Sequence, residues 1–519
     1  MMVRLIIYGV LFCAAFLLSA RYNLHMFQLN GYKNGEHLNR LKKSIYKQWI
    51  LFVSGVLCIL GGITGFLAFD ISSYVFLAMT AWMFNFYRTY NVKKKLVYTA
   101  RVKRLIATNL VLTAVATCVT AFLNADRLQI CFGIILILQP VMQVVCNIIN
   151  KPVESAVTNW YINDAKKMLK ACPDLKIIGV TGSYGKTSVK FYLKTLLEAK
   201  YNVLATPESF NTPMGVVRTI REHLKSTDEI FICEMGARHV GDIKEICDIV
   251  HPHHGVITSI GPQHLETFFN MDNIKNTKFE LADALPEGGK LFLNGDNQYI
   301  NEKAVNYPNK TFYYAEKEGS GYYAKDISVG RLGTEFTVVT PEGETERFSM
   351  KLIGGHNVIN VVGAIAVAHS FGVSLSDLHI PVRKLEPAKH RLEVLPRGAV
   401  TIIDDAYNSN PVGSKAAVET LAMFEGVRIL VTPGMVELGD KEEEYNRLFG
   451  TYAAKCCDYI LLVGKKRTEP IKAGALSEGF PADKLESFDT LNEALNYAYA
   501  IKEEGQKVIL LENDLPDNY

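Results

Sequence analysis

No Cys-x-x-Cys pair occurs among the ten cysteines of this 519-residue chain, and no sign of charge dominates it: 56 Lys and Arg stand against 53 Asp and Glu, for a formal net charge of +3. The first absence argues against a zinc ribbon and a disulfide framework, so that the adjacent Cys456 and Cys457 read as core thiols. The second leaves no basic footprint for nucleic acid, because the small excess is explained by two short basic loops. Charge is missing altogether from five apolar runs, at 3–20 (after Arg4), 49–69, 71–87, 105–124 and 128–148. Such runs hold no Asp, Glu or Lys from which a proton relay or ion path could be built, which leaves an anchor or a platform for a lipid substrate.

What is present begins with those runs. A bilayer core of ~30 Å takes about 20 apolar residues as helix, a length all five reach or approach. The first run could instead be a cleaved signal peptide, but no clear small-x-small site follows it and four more runs do. Lys and Arg cluster in the loops 21–48 and 88–104. Basic loops stay on the cytoplasmic side, so the expectation is a multi-pass cell-membrane protein with its N-terminus outside and everything after residue 150 in the cytoplasm.

After residue 150 the pattern changes to short apolar runs separated by Gly-marked turns. LKIIGV reads as a buried strand, TGSYGKTS as a loop and VKFYLKTLLEAK as a helix. Strand, glycine loop and helix form the context in which backbone N–H groups converge on a phosphate, with Gly182 and Gly185 shaping the turn, Lys186 reaching the phosphates, and Thr187 and Ser188 at the helix start. The complete G-x-x-x-x-G-K-[ST] pattern is not met, since Val180 occupies the first glycine position. Glu234 closes the apolar strand of DEIFICEMGA, where ligands collect in open α/β sheets. His264 follows another strand in HGVITSIGPQHLETF. Taken singly, the first is equally a helix cap and the second equally a surface group.

Together these stretches resemble the Mur ligases, ATP-dependent amide-forming enzymes of cell-wall synthesis, over about residues 175–510. The resemblance is closest to the branch that adds D-alanyl-D-alanine to a UDP-muramoyl tripeptide. It rests on TGSYGKTS, NTPMG, EMGARHVGDI, GPQHLETF, NTKFE, GGHNVIN, HRLEV, DDAYNSNP and GMVELG, in that order. It implies ATP and Mg²⁺ as cofactors, with Lys186 on phosphate and Thr187, Glu234 and His264 serving the metal. It also implies that Lys278 is carbamylated by CO₂, which would turn a cation into an oxygen donor suited to a hard ion; a plain solvated lysine is the alternative. Lys186, Lys278 and His264 would be the catalytic set. Asn360, with Asn357 nearby, would contact adenine, although both could equally cap a helix. Arg391 and Asp405 would hold the nucleotide from the far side of a linker. Asn211, Thr212, Tyr407, Asn408 and Asn410 would face substrate.

The fold expected is an α-helical membrane region over 1–150, a linker over 151–174, a P-loop-type α/β ATPase domain over 175–382 and a Rossmann-like α/β domain over 383–519. The reaction implied is activation of a carboxylate as acyl phosphate, followed by attack of an amino acid or dipeptide amine. A polyamino-acid synthetase, an NTPase-driven transporter and an inactive nucleotide-binding scaffold are the competing readings. Two departures from the branch stand out. The UDP-sugar-binding domain expected ahead of Ile177 is replaced by the apolar runs, so the acceptor, a cell-wall precursor, is expected to be lipid-linked and membrane lipid becomes a partner. The chain also closes with KVILLENDLPDNY, whose Glu512, Asp514 and Asp517 replace a Lys-Gly-Ser segment and put the amine substrate in question. Oligomeric state is left open.

Overall fold

The computed structural model describes residues 2–65, 67–89, 95–315, 317–330, 333–407 and 409–514. Two compact units divide the chain, Met1–Trp160 and Tyr161–Leu515.

The first unit is helical: α1 (Met2–Leu29), α2 (Asn34–Ser44), α3 (Trp49–Thr64), α4 (Leu67–Thr89), α5 (Ala100–Leu123) and the start of α6 (Leu128–Lys170). Four segments among the described residues, Tyr8–Leu29, Asn34–Thr64, Ala100–Leu123 and Ala125–Lys170, are long and apolar enough to cross a membrane. The expected run 71–87 falls in α4, part of which lies outside the described side chains. Small residues let the helices close on one another: a Cβ on Gly133 of α6 would come within 2.5 Å of the Gly55 carbonyl of α3, the kind of backbone approach that packs apolar helices. Phe12 stacks on Phe132 with ring centroids 4.1 Å apart.

Two boundaries differ from expectation. Nothing between residues 10 and 30 is Gly or Pro, so α1 continues past the apolar run and takes Arg21 out of the expected loop; it stops only where Gly31 turns left-handed at φ +61°. The expected linker is helical as far as Lys170, because α6 continues through it. Its final turns carry a buried Ala165 and pack Tyr161, Ile162, Met168 and Leu169 beside Val216 and Ile220.

The second unit holds two sheets. The first comprises β1 (Lys176–Thr181), β2 (Val203–Ala205), β3 (Ile230–Glu234), β4 (His254–Ile257), β5 (Leu291–Asn294), β6 (Lys310–Tyr314), β7 (Tyr322–Gly330), β8 (Gly333–Val339) and β9 (Thr345–Met350), in the order β2-β3-β1-β4-β5-β6-β7-β8-β9. It is parallel as far as β7, and β7–β8–β9 run antiparallel. The β8–β9 hairpin turns at 340–344, around the expected Pro341-Glu342-Gly343. Buried β1 residues need cover, which comes from α7 (Lys186–Leu197) and the helix Gly355–Ser370; the latter is apolar nearly all round, with Val361 through Ala368 fully buried.

β10 (Glu393–Arg397), β11 (Val400–Asp405), β12 (Val427–Thr432), β13 (Tyr459–Val463), β14 (Leu485–Phe488) and β15 (Lys507–Glu512) form the second sheet, ordered β10-β11-β15-β12-β13-β14. Only the β10–β11 pair is antiparallel. Strands β11 and β15 lie side by side and end together, Asp405 opposite Glu512. This register sets two carboxylates at one sheet end.

Candidate active site

The turn from β1 into α7 can be made only by glycines. Gly182 has φ +152° and a Cβ there would sit 2.1 Å from Thr258 Oγ1; Gly185 has φ +80° and a Cβ there would sit 2.8 Å from Asn360 Oδ1. Backbone conformation and space agree. Residues after β4 brace the loop: Ser183 N donates to Ser259 O at 2.6 Å, Tyr184 N to Ser259 Oγ at 3.0 Å, and the Tyr184 hydroxyl to Pro262 O at 2.7 Å. The loop is therefore shaped before any ligand arrives, with the N-terminus of α7 and its orphan N–H groups at its mouth.

Lys186 opens α7 and folds its ammonium back onto Gly182 O at 2.7 Å and Ser183 O at 3.1 Å. Burial lowers its pKa to about 8, against the pull of Glu234, and Arg391 lowers it further. An arriving phosphate would restore the full charge.

Thr187 Oγ1 donates to Glu234 Oε1 at 3.1 Å, and Asn211 Nδ2 donates to the same oxygen at 3.0 Å. The other oxygen, Oε2, lies 3.0 Å from Lys190 Nζ, both side chains fully buried. Burial pushes the Glu234 carboxyl up, but Lys190, Lys186 and the Asn211 hydrogen bond outweigh it and keep the group below the usual glutamate value. Glu234 is thus an anion whose oxygens point at the start of α7. Lys190 was not expected from sequence; its signal is the spacing of four from Lys186, one helical turn.

Lys278, on the helix Met271–Asp283, is 2% exposed. Burial lowers its pKa well below the ordinary lysine value, and Lys186 lowers it further. No described residue hydrogen-bonds or ion-pairs with its amine, in contrast to Lys190. His264, left-handed at φ +52°, places Nδ1 2.5 Å from Glu437 Oε2, a carboxylate that Arg238 also approaches at 3.5 Å. Burial lowers the His264 pKa, with Glu437 opposing. A carboxylate on one ring nitrogen orients the imidazole and leaves Nε2 for a ligand. Glu437 is the second residue missed; it lies inside GMVELG, between Gly434 and Gly439, both left-handed.

Among the remaining expected residues the outcome is mixed. Asn360 abuts Gly185. Asn357 is spent internally, accepting from the Tyr192 hydroxyl at 3.0 Å and donating to Ile353 O at 2.8 Å. The Arg391 guanidinium covers the Tyr407 ring, 4.5 Å from its centroid. Asp405 accepts from Leu392 N at 3.2 Å; burial and Glu512 raise its pKa to about 7, with Arg391 opposing. Thr212 and Asn410 serve as helix caps, Thr212 Oγ1 accepting from Gly215 N at 3.3 Å and Asn410 Oδ1 from Gly413 N at 2.8 Å. Asn408 and Asp517 lie outside the described residues. Glu512 is not the open acidic edge that the sequence suggested: it is 1% exposed, accepts from Thr432 Oγ1 at 2.7 Å and from Ser409 Oγ, and burial raises its pKa to about 7.

Comparison with known proteins finds relatives across both sheets. Residues 180–368 match the Mur ligase middle domain, and residues 390–511 the Mur ligase glutamate ligase domain. The UDP-N-acetylmuramoyl-tripeptide–D-alanyl-D-alanine ligase of Bacillus subtilis is 31% identical over 64% of this chain and 71% of its own length. Its Escherichia coli counterpart is 32% identical over 60% and 69%. Among solved structures, MurF from Acinetobacter baumannii superposes with a TM-score of 0.63 at 27% identity, covering 70% of this chain and 78% of that one. MurF from Thermotoga maritima in complex with ADP gives 0.61 at 25% identity, covering 69% and 80%.

Proposed function

The chain belongs to the Mur ligase family of ATP-dependent acid–amino-acid ligases, and on that premise we propose that it is a membrane-bound member joining an amino acid or dipeptide to a peptidoglycan precursor. The observation that carries the ligase reading is the braced glycine loop, with Lys186 on it and Thr187 3.1 Å from the buried anion Glu234.

In this reading a substrate carboxylate attacks the γ-phosphate of ATP, ADP leaves, and the resulting acyl phosphate loses phosphate to the incoming amine. Lys186 neutralises charge on the transferring phosphoryl group. Thr187 and Glu234 supply hard oxygen donors that suit Mg²⁺, and His264 supplies a nitrogen fixed by Glu437. When bound, the ion would offset charge developing on the phosphates. Lys278 is proposed to carry a carbamate: only a neutral amine attacks CO₂, and burial without a partner supplies one. Asn360 would lie against adenine, and Arg391 and Asp405 would close over the nucleotide. Asn357, Thr212 and Asn410 are proposed to support the site through the backbone they hold, and Tyr407 by its contact with Arg391. The sheet carrying the glycine loop is the proposed P-loop-type ATPase domain, 175–382, and the sheet ending at Asp405 the proposed Rossmann-like domain, 383–519.

The apolar helices support attachment to the cell membrane with the catalytic unit in the cytoplasm, and they motivate a lipid-linked acceptor. The test is phosphate release by the full chain in detergent with ATP and Mg²⁺, offering lipid-linked and UDP-linked muramoyl peptides with a panel of amino acids and dipeptides. Release requiring both an acceptor and an amine, and lost in Lys186→Ala, is expected. Release indifferent to every acceptor overturns the ligase reading, and equal use of the UDP-linked compound overturns the lipid-linked one.

A further inference from the structure

Two cavities lie along α5 and α6 of the helical unit, and they differ in chemistry. One, of about 490 Å³, is bounded by Asn34, Arg101, Asn147, Lys151, Thr158 and Asn159. Its walls are already organised: Arg101 Nη2 donates to Asn147 Oδ1 at 3.0 Å, Asn147 Nδ2 to Asn34 Oδ1 at 2.9 Å, and the Arg101 guanidinium covers the Tyr32 ring at 4.2 Å. Arg101 Nε is buried without a hydrogen-bond partner. Glu154 on its wall pairs with Arg104 at 2.6 Å and, more loosely, with Arg101 Nε at 3.9 Å, so that the single carboxylate is outnumbered by Arg101, Arg104 and Lys151 and the cavity keeps a positive pole. The second cavity, of about 340 Å³, is mostly apolar, bounded by Leu112, Ala116, Ile134, Leu138 and Met142, with Thr113, Thr120 and Arg127 also on its wall. Met142 and Asn147 are separated by about 7.5 Å of helix rise, so the apolar groove leads toward the polar cavity along one helix pair.

Polar side chains border the groove, Thr113 on its wall. Asn109 Oδ1, Thr113 Oγ1, Gln139 Nε2 and Gln143 Oε1 are all buried without hydrogen-bond partners, although Asn109 Nδ2 reaches Gln139 Oε1 at 3.4 Å. Unmet polar atoms are costly among apolar helices and mark functional surfaces there. Size points the same way: 490 Å³ is the volume of a small-molecule site, and its amide and hydroxyl groups suit sugar hydroxyls.

We propose that this face binds a glycosylated lipid phosphate, with phosphate against Arg101 and Lys151, the sugar among Asn34, Asn147, Thr158 and Asn159, and the hydrocarbon chain in the Leu112–Met142 groove. The site rests on the membrane-bound reading above and deepens it by naming where a lipid-linked acceptor is held. It does not depend on catalysis. The test is native mass spectrometry of the full chain, released from detergent micelles, titrated with a polyprenyl-pyrophosphoryl sugar, phosphatidylglycerol and a UDP-sugar. The lipid-linked sugar should bind best, and both Arg101→Gln/Lys151→Gln and Ala116→Phe should weaken it at least tenfold while ATP binding, which reports the fold, holds. Lys151→Arg should retain binding. Unchanged binding in both weakened variants overturns the site. Equal binding of phosphatidylglycerol overturns the sugar subsite, and equal binding of the UDP-sugar overturns the hydrocarbon groove. If the variants lose lipid binding while the wild type turns over soluble UDP-linked precursor equally well, the site stands and only the lipid-linked acceptor fails.

Discussion

Burial acts in opposite directions at the two sheet ends. At the first it lowers Lys186 to about 8 and Lys278 well below the ordinary lysine value; at the second it raises Asp405 and Glu512 to about 7. Burial alone thus removes part of the charge at each end. A phosphate at the first end would recharge Lys186 and so create the field that holds it, whereas Glu512 at the second is closed in by Thr432 and Ser409. Burial lowers Lys190 as well, against the pull of Glu234, but Lys190 has a permanent partner in that carboxylate and therefore reads as scaffold. Lys278, equally buried but unpartnered, reads as chemistry.

The contrast between those two lysines carries the largest predicted effect. Lys278→Ala should lower kcat about a thousandfold, ~4 kcal/mol of transition-state stabilisation. Wild type should lose rate in CO₂-free buffer and regain it with bicarbonate, whereas the variant should respond to neither. A wild-type rate indifferent to CO₂ would remove the carbamate.

Next comes the acidic end. Glu512 holds its proton up to about pH 7 folded, against an ordinary value of 4.5. Between those values the folded chain binds more protons than the unfolded one, so stability falls as pH rises through that window, by about 3 kcal/mol at ~1.36 kcal/mol per unit. Glu512→Gln removes this contribution and leaves the one from Asp405, which burial also raises. The variant's melting temperature relative to wild type should therefore climb from pH 5 to about pH 7 and level off above it, and a flat difference across that window would show that the carboxyl is ionised throughout.

A smaller effect tests whether the two ends are coupled. Glu437 fixes His264 from outside the first sheet, so Glu437→Gln should raise the Mg²⁺ concentration needed for half-maximal rate by about 10- to 100-fold with the nucleotide affinity held. An unaltered Mg²⁺ profile would reduce the contact to packing.

Local patterns made much of this legible. The glycine loop, Glu234 at a strand end and the alternation of strands with helices are short-range signals, and their structural counterparts follow from buried strands that must end at turns. Lys190 escaped because it lies within an apolar helical stretch, where its charge reads as surface, and its partner is distant in sequence. Glu437 escaped for a similar reason, since its meaning comes from His264, 173 positions away. The extensions of α1 to Leu29 and α6 to Lys170 were missed because hydropathy marks where apolar residues end, whereas the helix continues until backbone geometry stops it.

Asn410 shows where resemblance and geometry part, and it carries the smallest prediction. Expected to face substrate, it accepts hydrogen bonds from Val412 N at 3.1 Å and Gly413 N at 2.8 Å, is 8% exposed and precedes Pro411 at the first turn of the helix Pro411–Leu421. These are the marks of an N-cap, whose loss costs ~1 kcal/mol. Asn410→Ala should therefore lower the melting temperature by about 2–4 °C, leave the KM for the amine unchanged, and be rescued by Asn410→Asp, which caps as well. A substrate contact would behave in the opposite way: the alanine variant would raise that KM severalfold at constant melting temperature, and aspartate, which has lost the amide donor, would not restore it.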